Sequence, residues 1–150
     1  MDRMFYGAYI AEIGEIDMSK VTSGTNSQYT FAQLSISNSK LVKIDKIISS
    51  ASTVFHSTTF QNCAALTHVI FEGVIATNGL NLKDSPNLDK DSITSVINCL
   101  STDTTSLSFT LSLNAVNKAF ETSEGANDGS TSVDWVALRD SKTNWTISLS

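Results

Sequence analysis

A short apolar phrase recurs along the first 90 residues, and it constrains the fold more than any other feature of the sequence. The anchors are Ile10, Leu41, Leu66 and Leu88. In three of the four phrases a β-branched residue follows three positions on, at Ile13, Ile44 and Val69. The position three before the anchor holds Gly7, Asn38, Cys63 or Ser85. The anchors lie 31, 25 and 22 residues apart, intervals that belong to stacked repeat architectures rather than to ordinary domains. An L-x-x-[IV] phrase is too short for a helix and does not alternate strictly, so each copy predicts a short strand entering a turn. One such unit cannot bury its own apolar face, but stacked units bury each other's.

The composition fits stacked units. Ser and Thr make up about a quarter of the 150 residues, and Pro86 is the single proline. Hydroxyl and amide side chains suit turns, where they bond to nearby backbone groups. Proline is disfavoured because paired strands need their N–H groups. Apolar residues still account for 41%, enough for a core in one domain of this length. Charged residues are 17%, with 10 Lys and Arg against 15 Asp and Glu, a net charge of −5. No basic cluster would neutralise a row of phosphates, which argues against a nucleic-acid partner. No apolar run reaches the length needed to span a membrane. The first residues place acids within the apolar stretch and lack a small-residue cleavage site. They do not read as an export signal, so the expectation is synthesis in the cytoplasm with possible assembly into a virion or surface particle. In that setting Cys63 and Cys99 read as small apolar residues rather than a disulfide.

The phenylalanines Phe5, Phe31, Phe55, Phe60 and Phe71 are expected to fill the core of the repeated part. After residue 90 the pattern changes. Ile93, Val96, Ile97 and Leu100 make one helical face, which Asp89, Asp91 or Ser92 can cap. Residues 106–113 alternate Leu107, Phe109, Leu111 and Leu113 with hydroxyls, a strand signal. Helical spacing returns over 114–120 and 133–142, separated by a polar loop at 124–132, and 144–150 reads as a terminal strand.

The phrase FQNCAALTHVIF at 60–71 resembles the BspA-type leucine-rich repeat, and SNSKLVKID resembles it more weakly. Residues 80–101, with the Leu/Thr strand and the terminal NWTISL, resemble the closing unit of such proteins. Similar chains occur in gut bacteria and in their phages and prophages, often among tail-associated proteins. The resemblance implies an α/β fold: a right-handed leucine-rich-repeat solenoid with a parallel sheet, closed C-terminally by short helices and strands. Residues 1–150 are then a single domain, with irregular units over 1–90 and the closing unit over 91–150. The long first interval suggests an irregular unit or an insertion around 19–30. No catalytic residues come with the resemblance.

The residues supply no catalytic, cofactor-binding or metal set of their own. There is no GxSxG elbow, and His56 and His68 read as surface or hydrogen-bonded histidines. Neither pairs with Cys63 or Cys99 at zinc-ligand spacing. Asp17, Asp45 and Glu72 each end a unit, but their different offsets favour solvated surface charge over a shared column. KDSPNLDKD lacks calcium-ligand spacing, Asn127-Asp128 reads as a turn, and Asn144-Trp145-Thr146 is a formal sequon. The expected function is a non-enzymatic binding and display module, part of a phage, prophage or bacterial surface assembly, contacting protein or glycan. A purely structural or decoration subunit is the alternative. A further expectation is a stacking partner at the N-terminal unit, which starts with no polar cap before Phe5.

Overall fold

The computed structural model describes residues 1–103 and 107–150. Its strands are β1 (Glu12–Asp17), β2 (Lys43–Ser49), β3 (His68–Gly73), β4 (Asn81–Leu82), β5 (Leu107–Leu111) and β6 (Trp145–Leu149). Its α-helices are α1 (Lys90–Cys99), α2 (Leu113–Ala119) and α3 (Val133–Asp140). The strands form two parallel three-stranded sheets, ordered β1-β2-β3 and β4-β5-β6. This corrects the expected solenoid with one continuous parallel sheet. Between the two sheets lies an isolated parallel bridge, Ile75 to Leu100.

The first sheet is built from the recurring phrase. Ile13, Ile44 and Val69, each three residues beyond its anchor, stand side by side in register. Their side chains point to the core, as do Leu41 and Leu66, while the first anchor, Ile10, lies at the surface. Both β1 and β2 place isoleucines three apart, at Ile13 and Ile16 and at Ile44 and Ile47. Strict alternation would bury residues two apart, so β2 shifts register against β3 between Ile44 and Ile47.

The fourth phrase is where the array stops. Three positions after Leu88 stands Asp91 rather than a branched apolar residue, and the chain turns into α1. The Asp89 carboxylate accepts from the Ser92 N–H at 2.8 Å and caps the helix, whose Ile93, Val96 and Ile97 are buried. α1 then packs along β3. The Ser92 and Ser95 hydroxyls accept from the Val69 and Phe71 N–H groups at 2.9 and 3.1 Å. Side chains of a helix therefore satisfy backbone donors that a fourth strand would have taken, and this physical substitution ends the sheet.

The hydroxyls do more than close their own turns. Ser27 Oγ donates to the Val54 carbonyl at 2.8 Å, Ser50 Oγ to Ser19 at 2.8 Å, and Thr59 Oγ1 to Ser27 at 2.9 Å. These partners are 27 to 32 residues apart in sequence. Much of the Ser/Thr content thus ties one turn to the next, beyond the local bonding expected. The turn segments also pair through backbone: Arg3, Phe5 and Gly7 donate to Gln28, Thr30 and Ala32, and Phe31 and Gln33 donate to Thr59 and Gln61. Between these layers Phe5 stacks on Phe31 with ring centroids 5.9 Å apart, and Phe31 on Phe60 at 5.0 Å. Phe31, Phe55, Phe60 and Phe71 are buried, whereas Phe5 ends the stack half-buried.

In the second part the expected helices and strands form where the apolar spacing places them; Ser106, at the start of the expected strand, lies outside the described residues. Ser132 caps α3 by accepting from the Trp135 N–H, and Trp135 packs against Phe120 at 5.6 Å. Buried apolar residues from Ile13 to Trp145 form one core cluster, so the two sheets share a single interior.

Candidate interaction surface at the open edge of the first sheet

The two edges of the first sheet are finished differently. The β3 edge is covered by α1, as described. Among the described residues the β1 edge has a strand on its inner side alone. The turn layer beside it is equally open. The Gln28, Thr30 and Ala32 carbonyls each accept a backbone N–H, but among the described residues the corresponding carbonyls of Met4 and Tyr6, one layer out, accept none.

Apolar side chains gather at this end. Among the described residues ten large apolar side chains are exposed; Met4, Tyr6, Tyr9 and Ile10 belong to this outermost layer, and Leu34 of the next layer reaches it. Leu34 leans over Gly7, where an added Cβ would approach its Cγ to 2.8 Å. Tyr6 meets Tyr29 edge-on at 5.6 Å, and the Arg3 guanidinium lies over the Tyr29 ring at 5.4 Å. Exposed apolar groups scattered singly need no explanation, whereas several beside an unpaired edge call for one.

The outward face of the sheet carries its charge in rows. Glu12, Lys43 and His68 share one register position, and Glu15 and Lys46 share another. Lys46 Nζ reaches its register neighbour Glu15 at 3.4 Å and, on the diagonal, Glu72 at 2.9 Å, whose own register neighbour is Ile48. The Glu72 and then the Glu15 carboxylate hold the Lys46 ammonium pKa above its usual value. Lys43 pairs with Asp45 at 2.7 Å, which lowers the Asp45 carboxyl pKa through the hydrogen bond and the charge. His68 Nδ1 lies 2.6 Å from the Asp89 carboxylate, linking the row to α1. At the outer end stand Glu12, which has no ion pair among the described residues, and Glu15.

The residues singled out in the sequence do not assemble into a reactive centre. Asp17 and Glu72 flank Ile48 in one row, but Asp45 belongs to another and is tied to Lys43, so the three acids form no column. The Asp17 carboxylate instead accepts from the Ser19 N–H at 2.8 Å. His56 Nδ1 bonds Thr58 Oγ1 at 2.8 Å. Cys63 is buried, donates to the Phe31 carbonyl at 3.2 Å, and has its thiol pKa pushed far up by burial. Cys99 is half-buried, and neither cysteine is in a disulfide. Among the described residues no three His, Cys, Asp or Glu side chains are placed to hold a metal ion. Asp128 accepts from the Thr122 N–H and hydroxyl at 2.8 and 2.6 Å, and Glu121 accepts from the Gly125 N–H, so the Asn127-Asp128 loop bonds to itself.

The described surface carries shallow grooves. One of about 480 Å³ runs beside β6 and is lined by Arg139, Lys142, Trp145 and Ile147 among others. One of about 380 Å³ is lined by hydroxyls and amides, including Thr58, Gln61, Asn62 and Asn81. Both are open to solvent, and neither histidine lines them. No described helix is long and apolar enough to cross a membrane.

Glu12 and Glu15, which end the charged rows, escaped the sequence reading. Their signal is the match of EIGEI at 12–16 with KIDKI at 43–47, the same pattern with the charges reversed. Comparison with known proteins adds no relative: no family model, curated protein or solved structure matches the chain.

Proposed function

We propose that this protein is a non-enzymatic contact module that binds a protein partner through the β1 end of its first sheet. The observation that supports this reading is the coincidence of three features there: an uncovered strand edge, unbonded carbonyls in the adjoining turn, and a concentration of exposed apolar side chains. A contact of this kind buries apolar area while completing backbone hydrogen bonds, the two terms that give strand-addition interfaces their affinity. The proposed setting is a larger assembly such as a phage or prophage tail or a bacterial surface particle, the setting that the BspA-type resemblance implies.

The test is site-specific photo-crosslinking in the cells that make the protein. Tyr9 and Val133 are both 82% exposed, but Val133 lies on α3, away from the proposed surface. A photoreactive side chain at Tyr9 is expected to yield one dominant protein adduct that the same group at Val133 does not. Equal or absent adducts from the two positions would overturn the reading. Adduct present in fixed stoichiometry within a purified particle would identify a structural subunit, the form of contact module that decorates rather than recognises.

A further inference from the structure

The chemistry of the partner strand is written in the charged rows, and this inference rests on the contact surface proposed above. We propose that the β1 edge receives, in parallel, one strand of a protein partner. The strand that continues the rows carries Lys or Arg at two positions three apart, each followed by a branched apolar residue.

The argument starts from alternation across the sheet. In parallel strands, residues at one register position are neighbours, and opposite charges there stabilise the pair while like charges oppose it. Across the β1–β2 pair Glu12 faces Lys43 and Glu15 faces Lys46, and Lys46 Nζ also reaches Glu72 from the diagonal at 2.9 Å. The next position outward lies beside Glu15 and calls for a cation. One row away, Glu12 stands beside Lys43, which bonds Asp45 at 2.7 Å and meets Glu12 only through longer-range charge. It calls for a cation too.

The inward rows set the apolar half of the pattern. Ile13, Ile44 and Val69 form one row, and Ile16, Ile47 and Phe71 another. Ile13 and Ile16 end these rows at the open edge, Ile16 only half-buried, so an added strand continues them with branched apolar side chains. Cations and apolar residues then interleave as K-I-x-K-I, which is the pattern of β2 itself, the strand these same acids meet on their inner side. A second copy of this chain does not supply it: its KIDKI lies in the central strand, and its β6 edge, WTISL, carries no cation.

A peptide spelling residues 41–49, LVKIDKIIS, is therefore the direct probe of the edge. Fluorescence anisotropy with the full chain is expected to show binding at least about tenfold tighter than for the same peptide with both lysines replaced by glutamate, and weaker binding as salt rises. Glu12→Lys with Glu15→Lys is expected to reverse the preference. Because that variant sets lysines beside Lys43 and Lys46, the neutral pair Glu12→Gln with Glu15→Gln serves beside it and is expected to abolish discrimination while keeping the fold. Equal binding of both peptides, or binding of neither, overturns the inferred strand. It would show acids that merely blunt an edge against aggregation. Adducts from Tyr9 decide independently whether this end is a contact surface at all.

Discussion

Ser85 and Cys63 hold the same place before their anchors, Leu88 and Leu66, and both are buried, yet their polar atoms fare differently. The Cys63 thiol donates to the Phe31 carbonyl, whereas Ser85 Oγ has no hydrogen-bond partner among the described residues. A buried hydroxyl without a partner costs on the order of 1–3 kcal/mol. Ser85→Ala removes that cost and leaves almost no void, so it should raise stability by about 1 kcal/mol, read as a higher urea midpoint at unchanged m-value. At this scale the sequence was readable where one residue type has one use. Buried phenylalanines and a buried cysteine follow from hydrophobicity. The same rule misplaced Ile10, which is apolar and correctly spaced but lies in the outermost layer, where the described residues place no further layer to cover it.

Among the elements, α1 does the most to shape the molecule, because it both starts the second part and finishes the β3 edge. Its cap is Asp89. Burial alone would raise the Asp89 carboxyl pKa, but hydrogen bonds from Ser92 and His68 outweigh it and hold the pKa below the usual carboxylate value. Stabilisation from such a depressed group is fully present above the unfolded value of about 3.9 and is lost as pH falls through the lower folded value. Asp89→Ala should therefore cost about 1–2 kcal/mol near neutrality, and the gap should close as pH falls below about 4. Thermal melts of both proteins between pH 2 and 7 check this; a gap that stays constant into acid would contradict the charged cap. Helices α1 and α3 and strands β5 and β6 were legible because their apolar periods run for several residues, and for α1 a capping side chain marks the start as well. β4 is two residues long, Asn81–Leu82, too short to carry a period. The end of the first sheet was hidden for a different reason: it depends on serine hydroxyls of α1 reaching the backbone of β3, a contact between segments that no local pattern records.

For the molecule as a whole, the repeated phrase told the truth about register and misled about extent. It placed Ile13, Ile44 and Val69 in one row, but three aligned strands do not make an open-ended array, and the chain closes one edge with a helix before building a second sheet. That asymmetry carries the functional account. One side of the first sheet is finished; the other is left, among the described residues, with carbonyls that accept no N–H, exposed apolar groups and two acids facing outward. Hydrogen–deuterium exchange of the full chain, alone and saturated with the peptide spelling residues 41–49, tests the account most directly. The prediction is slowed exchange in β1 and the adjoining outer turn, with β5 and β6 unchanged. Protection confined to the β6 side, or none at either edge, would contradict it.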